Sequence, residues 1–471
     1  MNLPLEHRSI VPPAVATTAG FAAVAALASW KAGGGADQTL LTIVAGGFLA
    51  VLAALRPRLA ILATFLYLAA LGDLRRLVMY SAGQVRSDPM LLVAPASAAL
   101  LAATALLRRR LCIASPLSRL VAALMVLMVV QILNPLQGGL LVGVAGALFH
   151  LVPLLWFWIG QAWGSPLLLD RLLHRLVVPL AAAAALLGVW QVINGFLPYQ
   201  QHWIDEAGYA ALSVQGRIRP FAFFTSSAEF AHYAGIAAMV LAASLLRRTA
   251  RPAAILLPLL LCAVILQGSR SVVVLAILAL AVMWAFCGGG RAWIGRMALA
   301  VVVAAGGMIF LLTHAQDADL PVDVQPLVEH QVRGLTHPLD AQHSTAELHW
   351  QMMVDGLRQG IVHPLGHGLG ATTLAARKLG SGGGSSEVDV SDIFVCLGPV
   401  GGLLYLLLIG SVLRAAARRS SFARNILGLA VLGILVLELG RWLNGGQYAT
   451  AALVWFCIGS LDRPNAGEDA P

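Results

Sequence analysis

HAQDADLPVDVQPLVEHQVRGLTHPLDAQHSTAELHWQMMVDGLRQGIVHPLGHGLG, residues 314–370, begins a stretch that continues to Asp392 without a run apolar enough to cross a bilayer. It holds His314, His330, His337, His343, His349, His363 and His367 out of twelve histidines in the chain. A spanning helix needs about 20 mainly apolar residues, and nearly everything on either side of this stretch supplies them. Residues 314–392 therefore form one long polar loop on a membrane-embedded body. Chemistry in water belongs at that loop or at the helix ends beneath it.

The composition agrees. Of 471 residues, 59% are hydrophobic and 11% charged, where a soluble domain carries about 25% charged residues. The net charge of +9 does not point to nucleic acid, because the arginines sit in short clusters between apolar segments. That is the pattern by which cytoplasmic loops orient helices. Cys112, Cys262, Cys287, Cys396 and Cys457 include no CxxC pair, so no disulfide framework or zinc motif is expected.

Apolar segments fall near 10–30, 39–55, 59–72, 89–107, 119–135, 139–163, 176–195, 221–246, 252–267, 271–287, 297–313, 393–413, 425–440 and 446–461. The expected fold is an all-α polytopic membrane protein of about 12–14 transmembrane helices, with residues 1–471 as one integral membrane domain. The first segment exceeds the 7–15 residues usual for a signal-peptide core, so it is expected to remain as a helix. With the N-terminus in the cytoplasm, the short arginine-rich loops at Arg56–Arg58, Arg108–Arg119, Arg171–Arg175, Arg247–Arg251, Arg291–Arg296 and Arg414–Arg424 all fall inside. The C-terminal tail is then cytoplasmic as well. The outer side receives Gly72–Asp88, Phe196–Pro220, the Gly268–Ser271 turn and the long loop.

Several polar groups at the outer side could carry chemistry. Arg217 and Arg219 precede the segment Phe221–Leu246, and Arg270 sits in Gln267-Gly268-Ser269-Arg270-Ser271, a turn between two apolar segments. Guanidinium forks suit phosphate oxygens, although an interfacial anchor explains a single outer arginine equally well. Glu229 and His232 share one helix face about two turns into an apolar segment. Such groups are costly in a bilayer, so they face a wet cavity or a partner such as an arginine. Asp73, Arg75 and Arg76 form another cluster, and Arg441, with Glu438 one turn away, marks the outer end of a late helix.

Within the loop, Ser344–Gly360 has helical spacing, with Leu348, Met352, Met353 and Leu357 apolar and Ser344-Thr345-Ala346-Glu347 offering a capping box. It is expected to be an amphipathic helix lying on the membrane or bundle face. His363–Gly370 is Gly-rich and lacks the spacing of a Walker lysine. Backbone amides in such a loop can approach phosphate. Gly380–Ser386 is a flexible tether. Glu347, His349, Asp355, His363 and His367 are the titratable candidates here; no pair has a strong metal-ligand spacing, so no metal is expected.

In their order these motifs resemble the O-antigen ligase and polymerase family of bacterial membrane glycosyltransferases. The family pattern Arg-x-x-Gly-x-Phe-x-x-Pro-Asn-x-x-Ala maps onto residues 219–231, where Arg219, Phe224 and Ala231 match and the Gly, Pro and Asn are replaced. Gly268-Ser269-Arg270 is similar to the Ser-Arg motif, Trp350 and Pro364–Gly370 to the loop motif, and Leu397-Gly398-Pro399-Val400-Gly401 to the helix that returns to the membrane. The resemblance implies transfer of glycan from an undecaprenyl-pyrophosphate carrier at the periplasmic face of the inner membrane, without cofactor or metal. Its partners would be the lipid-linked glycan donor, a glycan acceptor, the bilayer and other polysaccharide-assembly proteins, with no nucleic acid. Arg217, Arg219 and Arg270 would bind the pyrophosphate, supported by Glu229, His232, Arg75, Arg76 and Arg441. Many family members carry a His-Asn pair just before the returning helix. Here Glu387–Asp392 contains no histidine, so the general base falls to Asp389, Asp392, Glu347 or a loop histidine such as His349.

The activity expected is polymerisation of lipid-linked repeats into exopolysaccharide or O-antigen. A ligase that moves finished glycan to lipid A core or another acceptor is the near alternative. A transporter, with Glu229, His232 and Arg270 along an ion path, is the alternative from another class; no inverted repeat with paired broken helices supports it.

Overall fold

A computed structural model describes residues 38–82, 88–207, 213–214, 216–249, 253–287, 293–315, 324–337, 340, 345–373, 376, 387–421, 425–443 and 446–463. The apolar run 10–30, Ser344 and the Gly380–Ser386 tether lie outside these residues. From 39–55 onward, each expected apolar segment is a helix. In order they are α1 (Gln38–Leu55), α2 (Pro57–Ala82), α3 (Val93–Leu107), α4 (Pro116–Gln131), α5 (Leu140–Trp163), α6 (Pro166–Leu172) and α7 (Val178–Asn194). A π-helical turn at Leu173–Val177 joins α6 to α7. After α8 (Pro198–Ala207) comes a hairpin of β1 (Ser213–Val214) and β2 (Arg217–Ile218), with Val214 paired to Arg217. Then follow α9 (Ser227–Leu246), α10 (Ala253–Gln267), α11 (Arg270–Cys287), α12 (Trp293–Ala315), α13 (Gln325–Thr336), α14 (Ala346–Val362), α15 (Asp389–Ser421), α16 (Ile426–Leu437) and α17 (Tyr448–Leu461).

Eight membrane-length apolar helical spans and four shorter apolar helices occur among the described residues. The chain is a helical, multi-pass membrane protein. Its centre is α9, in which every residue from Glu229 to Ser244 is buried, flanked by α16 and α17, buried from Gly428 to Leu437 and from Ala449 to Leu461. A helix apolar on all faces belongs inside a bundle. By contrast α1 buries only Leu49 and Ala53.

At one end of the bundle the arginine-rich connections hold helices together. Arg247 Nη1 donates to Cys287 O (2.6 Å) and Nη2 to Ser420 O (3.0 Å), so one guanidinium serves the carbonyl ends of α11 and α15. Cations are favoured at helix C-termini because the last carbonyls lack intrahelical partners. Gln161 joins the same layer, bonding Cys112 on both backbone atoms and Asp462 (2.8 Å). The opposite end carries α13, α14 and the expected polar loop.

Three boundaries differ from expectation. Helix α2 does not stop near residue 72; it runs to Ala82 and takes Asp73, Arg75 and Arg76 into the helix, where Arg76 is buried among bonding partners. Helix α9 begins only at Ser227, because Ser226 caps it by accepting from Glu229 N (3.1 Å); Phe221–Ser226 is a loop. Helix α15 begins at Asp389, so both acids of that stretch are helical. Thr345, the N-cap of α14, makes no side-chain capping bond, and Ser344 of the expected capping box lies outside the described residues.

Helix α15 breaks at Gly398, which has φ of 71° and is followed by Pro399. Only glycine takes such a conformation without strain, and proline lacks the N–H that would bond Val395 O. The freed carbonyls are taken by the Gly-rich loop: His367 N donates to Val395 O (2.9 Å) and Gly368 N to Cys396 O (3.1 Å). Leu369 N bonds Gln131 O (3.2 Å) and Gly370 N bonds Gln137 Oε1 (3.0 Å). These amides fasten the end of α4 and the turn that follows it to the kink, so they are occupied within the protein and do not form the phosphate cradle that the glycines suggested.

Candidate functional site

Helix α10 ends at Gln267 and α11 starts at Arg270, joined by Gly268 at φ 86°. Glycine permits this left-handed reversal, which delivers Arg270 as the first residue of a helix, where the dipole also favours an anion. Helix α13 lies across the turn. Arg270 Nη2 stands 2.9 Å from His330 Nε2 and 3.2 Å from Nδ1; one imidazole nitrogen accepts from it. The guanidinium rests on Gly334, where any β-carbon would overlap it.

Arg219 reaches the same turn from the other direction. A β-carbon on Gly268 would lie 3.7 Å from Arg219 Nε and 4.0 Å from His330 Cδ2, so Gly268 sits between these two side chains. Arg219, Arg270 and His330 therefore converge. The half-buried imidazole has its pKa lowered to about 4, first by burial and then by Arg270 and Arg219. It is neutral near pH 7. Among the described residues no carboxylate bonds Arg270, and its buried Nε has no partner. Glu329, beside His330 in sequence, pairs with Arg333. The side-chain amide atoms of Gln267, fully buried at this turn, also lack partners among the described residues. Buried donors without acceptors cost about 1–3 kcal/mol each. The arrangement is prepared for an oxyanion.

The loop carrying Arg219 is held by groups that sequence placed in the site. Arg76 is 2% exposed and donates to Phe224 O (2.6 Å), Thr225 O (3.4 Å) and Asp73 Oδ1 (3.0 Å). Its guanidinium also covers the Phe221 ring at 4.0 Å and the Trp203 ring at 4.5 Å. Arg75 pairs with Asp88. Both arginines build the scaffold. Gln191 Oε1 accepts from Phe221 N (3.0 Å) and Ala222 N (2.9 Å), and Gln200 Nε2 donates to Ala222 O (3.1 Å). Sequence reasoning missed Gln191, Gln200 and Trp203; a glutamine inside the apolar segment of α7 was the available signal.

Glu229 and His232 are each 0% exposed. Glu229 accepts from Thr225 Oγ1, from Thr225 N (3.3 Å) and from Ala449 N (2.7 Å), so its partners are not arginines. His232 Nδ1 is 2.9 Å from Glu438 Oε1. Asp389, 5% exposed, accepts from Tyr405 Oη (3.0 Å) and Leu443 N (2.7 Å) through one oxygen. It ties α15 to the turn after α16 through that oxygen. Asp392, in the same first turn, is half-buried. Arg441 lies 3.9 Å from Glu387.

Arg217 is exposed on β2. On α14, Glu347 is exposed and contacts Gln351 (3.2 Å), His349 is half-buried and Asp355 is exposed. None of the three meets Arg219 or Arg270 among the described residues. Trp350, Leu348 and Val354 are exposed on this helix, whose Gly356 and Gly360 pack on Ser391 and Phe394 of α15. His363 and His367 pack ring on ring at 4.4 Å. Of the loop histidines, His330 is the one in contact with an arginine among the described residues.

An apolar cavity of about 440 Å³ opens between α2, α3, α5 and α17. Leu68, Ala94, Phe149, Trp156 and Ala451 line it, Leu92 and Leu148 lie partly exposed at its rim, and Asp88, Gln447 and Tyr448 are its polar members. Ala449, next to Tyr448, is the residue whose amide bonds Glu229, so the cavity adjoins the start of α9.

Compared with known protein families and with curated proteins, the chain matches none.

Proposed function

We propose that this protein is a periplasmic-face glycosyltransferase of the inner membrane, with cytoplasmic termini, that polymerises undecaprenyl-pyrophosphate-linked repeats into exopolysaccharide or O-antigen. The observation that carries this reading is the convergence of Arg219 and Arg270 on the Gly268 turn, with no carboxylate against Arg270 among the described residues. Two guanidinium groups, one at the start of α11 and one in the loop before α9, provide donors for a diphosphate and for the charge that grows on it as it departs. The cavity between α2, α3, α5 and α17 offers apolar volume for hydrocarbon of the carrier.

In the reaction, an acceptor hydroxyl oxygen attacks the anomeric carbon of the donor. The bond from that carbon to the phosphate oxygen breaks, and undecaprenyl pyrophosphate leaves on the arginines. The hydroxyl proton passes to a base. Asp392 is the acid near the start of α15 that is only half-buried, while Asp389 is committed to Tyr405 and Leu443. A ligase would use the same donor site with a different acceptor. The buried and hydrogen-bonded state of Glu229 and His232 favours the transferase reading over transport along these residues.

The test is purified protein supplied with a lipid-linked repeat. Polymer and released undecaprenyl pyrophosphate are expected, both lost in R219A/R270A. If the double variant makes polymer at the wild-type rate, the reading fails. A deletion strain separates the two transferases: single repeats without polymer indicate a polymerase, and unattached lipid-linked polymer indicates a ligase.

A further inference from the structure

The observation left over is His330. The reaction as proposed uses the two arginines, yet the side chain in direct contact with Arg270 is an imidazole. Three facts constrain it. Arg270 Nη2 lies 2.9 Å from one ring nitrogen, so in the ligand-free arrangement His330 accepts a hydrogen bond. Arg219 lies in contact range of the same Gly268 position as the His330 ring. Gly334, one turn further along α13, lets the guanidinium lie flat against the helix.

We propose that Arg219, Arg270 and His330 bind a diphosphate group together with one proton, His330 becoming the third cation of the pocket only while the anion is bound. This rests on the reading of the two arginines as an anion site. With the pocket empty, an imidazolium would face two permanent cations, and like charges disfavour the protonated form. A diphosphate reverses the balance. Its oxygens draw the Arg270 donors away from the ring, the vacated ring nitrogen takes a proton from solvent, and that N–H donates to the anion. No other bond changes.

The surrounding charges support this assignment. On α13 itself, Glu329 and Arg333 pair with each other, and His337 lies at the far end beside Thr336. Helix α11 contributes Arg270 and the loop before α9 contributes Arg219. Helix α10 contributes the uncharged Gln267, and β1 contributes Ser213 and Val214. Of the titratable residues of α12, Arg296 bonds Ala285 O (3.4 Å), and the side chain of His314 lies outside the described residues. Facing two guanidinium groups, a more highly charged phosphate group is favoured over a monoanion.

The experiment is calorimetric titration of the purified full-length protein with inorganic pyrophosphate, in two buffers of different ionisation enthalpy, at several pH values from mildly acidic to neutral. The difference in proton uptake between wild type and H330Q cancels the protonation of pyrophosphate itself. Wild type is expected to take up as much as about one proton more per bound anion than H330Q, with H330N as a second variant where Gln is not tolerated. Equal uptake in wild type and variant overturns the inference and leaves the arginine site standing. Pyrophosphate binding undiminished in R219A/R270A removes the arginine reading itself, and absence of binding to wild type removes both.

Discussion

Two polar clusters lie at the loop end of the bundle, and they are opposites. In one, Glu229, His232, Glu438 and Asp389 are at most 5% exposed, and every one of them is bonded to an amide, a hydroxyl or another member. In the other, Arg219 and Arg270 flank a neutral imidazole, and Arg270 has no carboxylate among the described residues. Buried charge is tolerated when its partners are complete. Each member of the first cluster has a bonded partner, and these bonds tie α9, α15, α16 and α17 together, while His232 Nε2 and Glu438 Oε2 have no partner among the described residues. In the second, Arg270 Nε has no partner among the described residues, and this is where the proposed anion would bind. The rarity of an ionisable group in an apolar segment does not distinguish the two cases; the inventory of partners does.

The strongest way to break this contrast is to remove the arginines. R219A/R270A should lower polymer formation in vitro by about 10²-fold or more, the scale seen when preorganised charge stabilisation is lost, while melting temperature in detergent stays within a few degrees. A comparable loss of stability would assign the arginines to the scaffold. Asp389→Ala should do the reverse. It leaves the Tyr405 hydroxyl and the Leu443 amide unsatisfied, at about 1–3 kcal/mol each, and should lower the unfolding midpoint markedly. A variant that melts like wild type yet forms no polymer would return Asp389 to the chemistry.

Smaller effects sharpen the comparison. Gly334→Val displaces the Arg270 guanidinium and should weaken pyrophosphate binding about tenfold, a loss of about 1.4 kcal/mol, read by the same calorimetry. Ala451→Phe fills part of the cavity between α5 and α17. It should raise KM for the lipid-linked donor severalfold and leave inorganic pyrophosphate binding untouched; equal effects on both would disconnect the cavity from the donor. The smallest effect is on stability against pH. His330 titrates at about 4 in the folded chain and near 6.5 when unfolded. Below 6.5 the unfolded state binds more protons, so its contribution is full above 6.5 and declines as pH falls towards 4. Melting temperatures of H330Q should fall less over that interval than those of wild type.

Much of this architecture was legible in the chain. Apolar runs of sufficient length have few other places to go than a bilayer, so the long apolar helices and the polar interval 314–392 follow from hydropathy. The arginines of the Gly268 turn and of Arg219-Pro220 were also visible, because a charged residue at a helix boundary stands out against apolar neighbours. What could not be read was which ionisable groups share partners. Glu229 and Asp389 looked like chemistry because they are acids in apolar surroundings; their partners are the amides of Ala449 and Leu443, 220 and 54 residues away. Backbone amides have no signature in a sequence.

The same limit applied to histidine. Seven in one loop suggested an active site by number, and His349 and the acid Glu347 were favoured by position. The structure puts both on α14, with Trp350 and Leu348 exposed beside them. His330, indistinguishable in sequence from its neighbours, meets Arg270 because α13 crosses the turn between α10 and α11. The chain by itself determined that this is a helical membrane protein with a large polar loop, since burial in lipid depends on local composition. Tertiary structure alone decided which charges are satisfied, since hydrogen bonding and electrostatic pairing depend on distance in space between residues far apart in the chain.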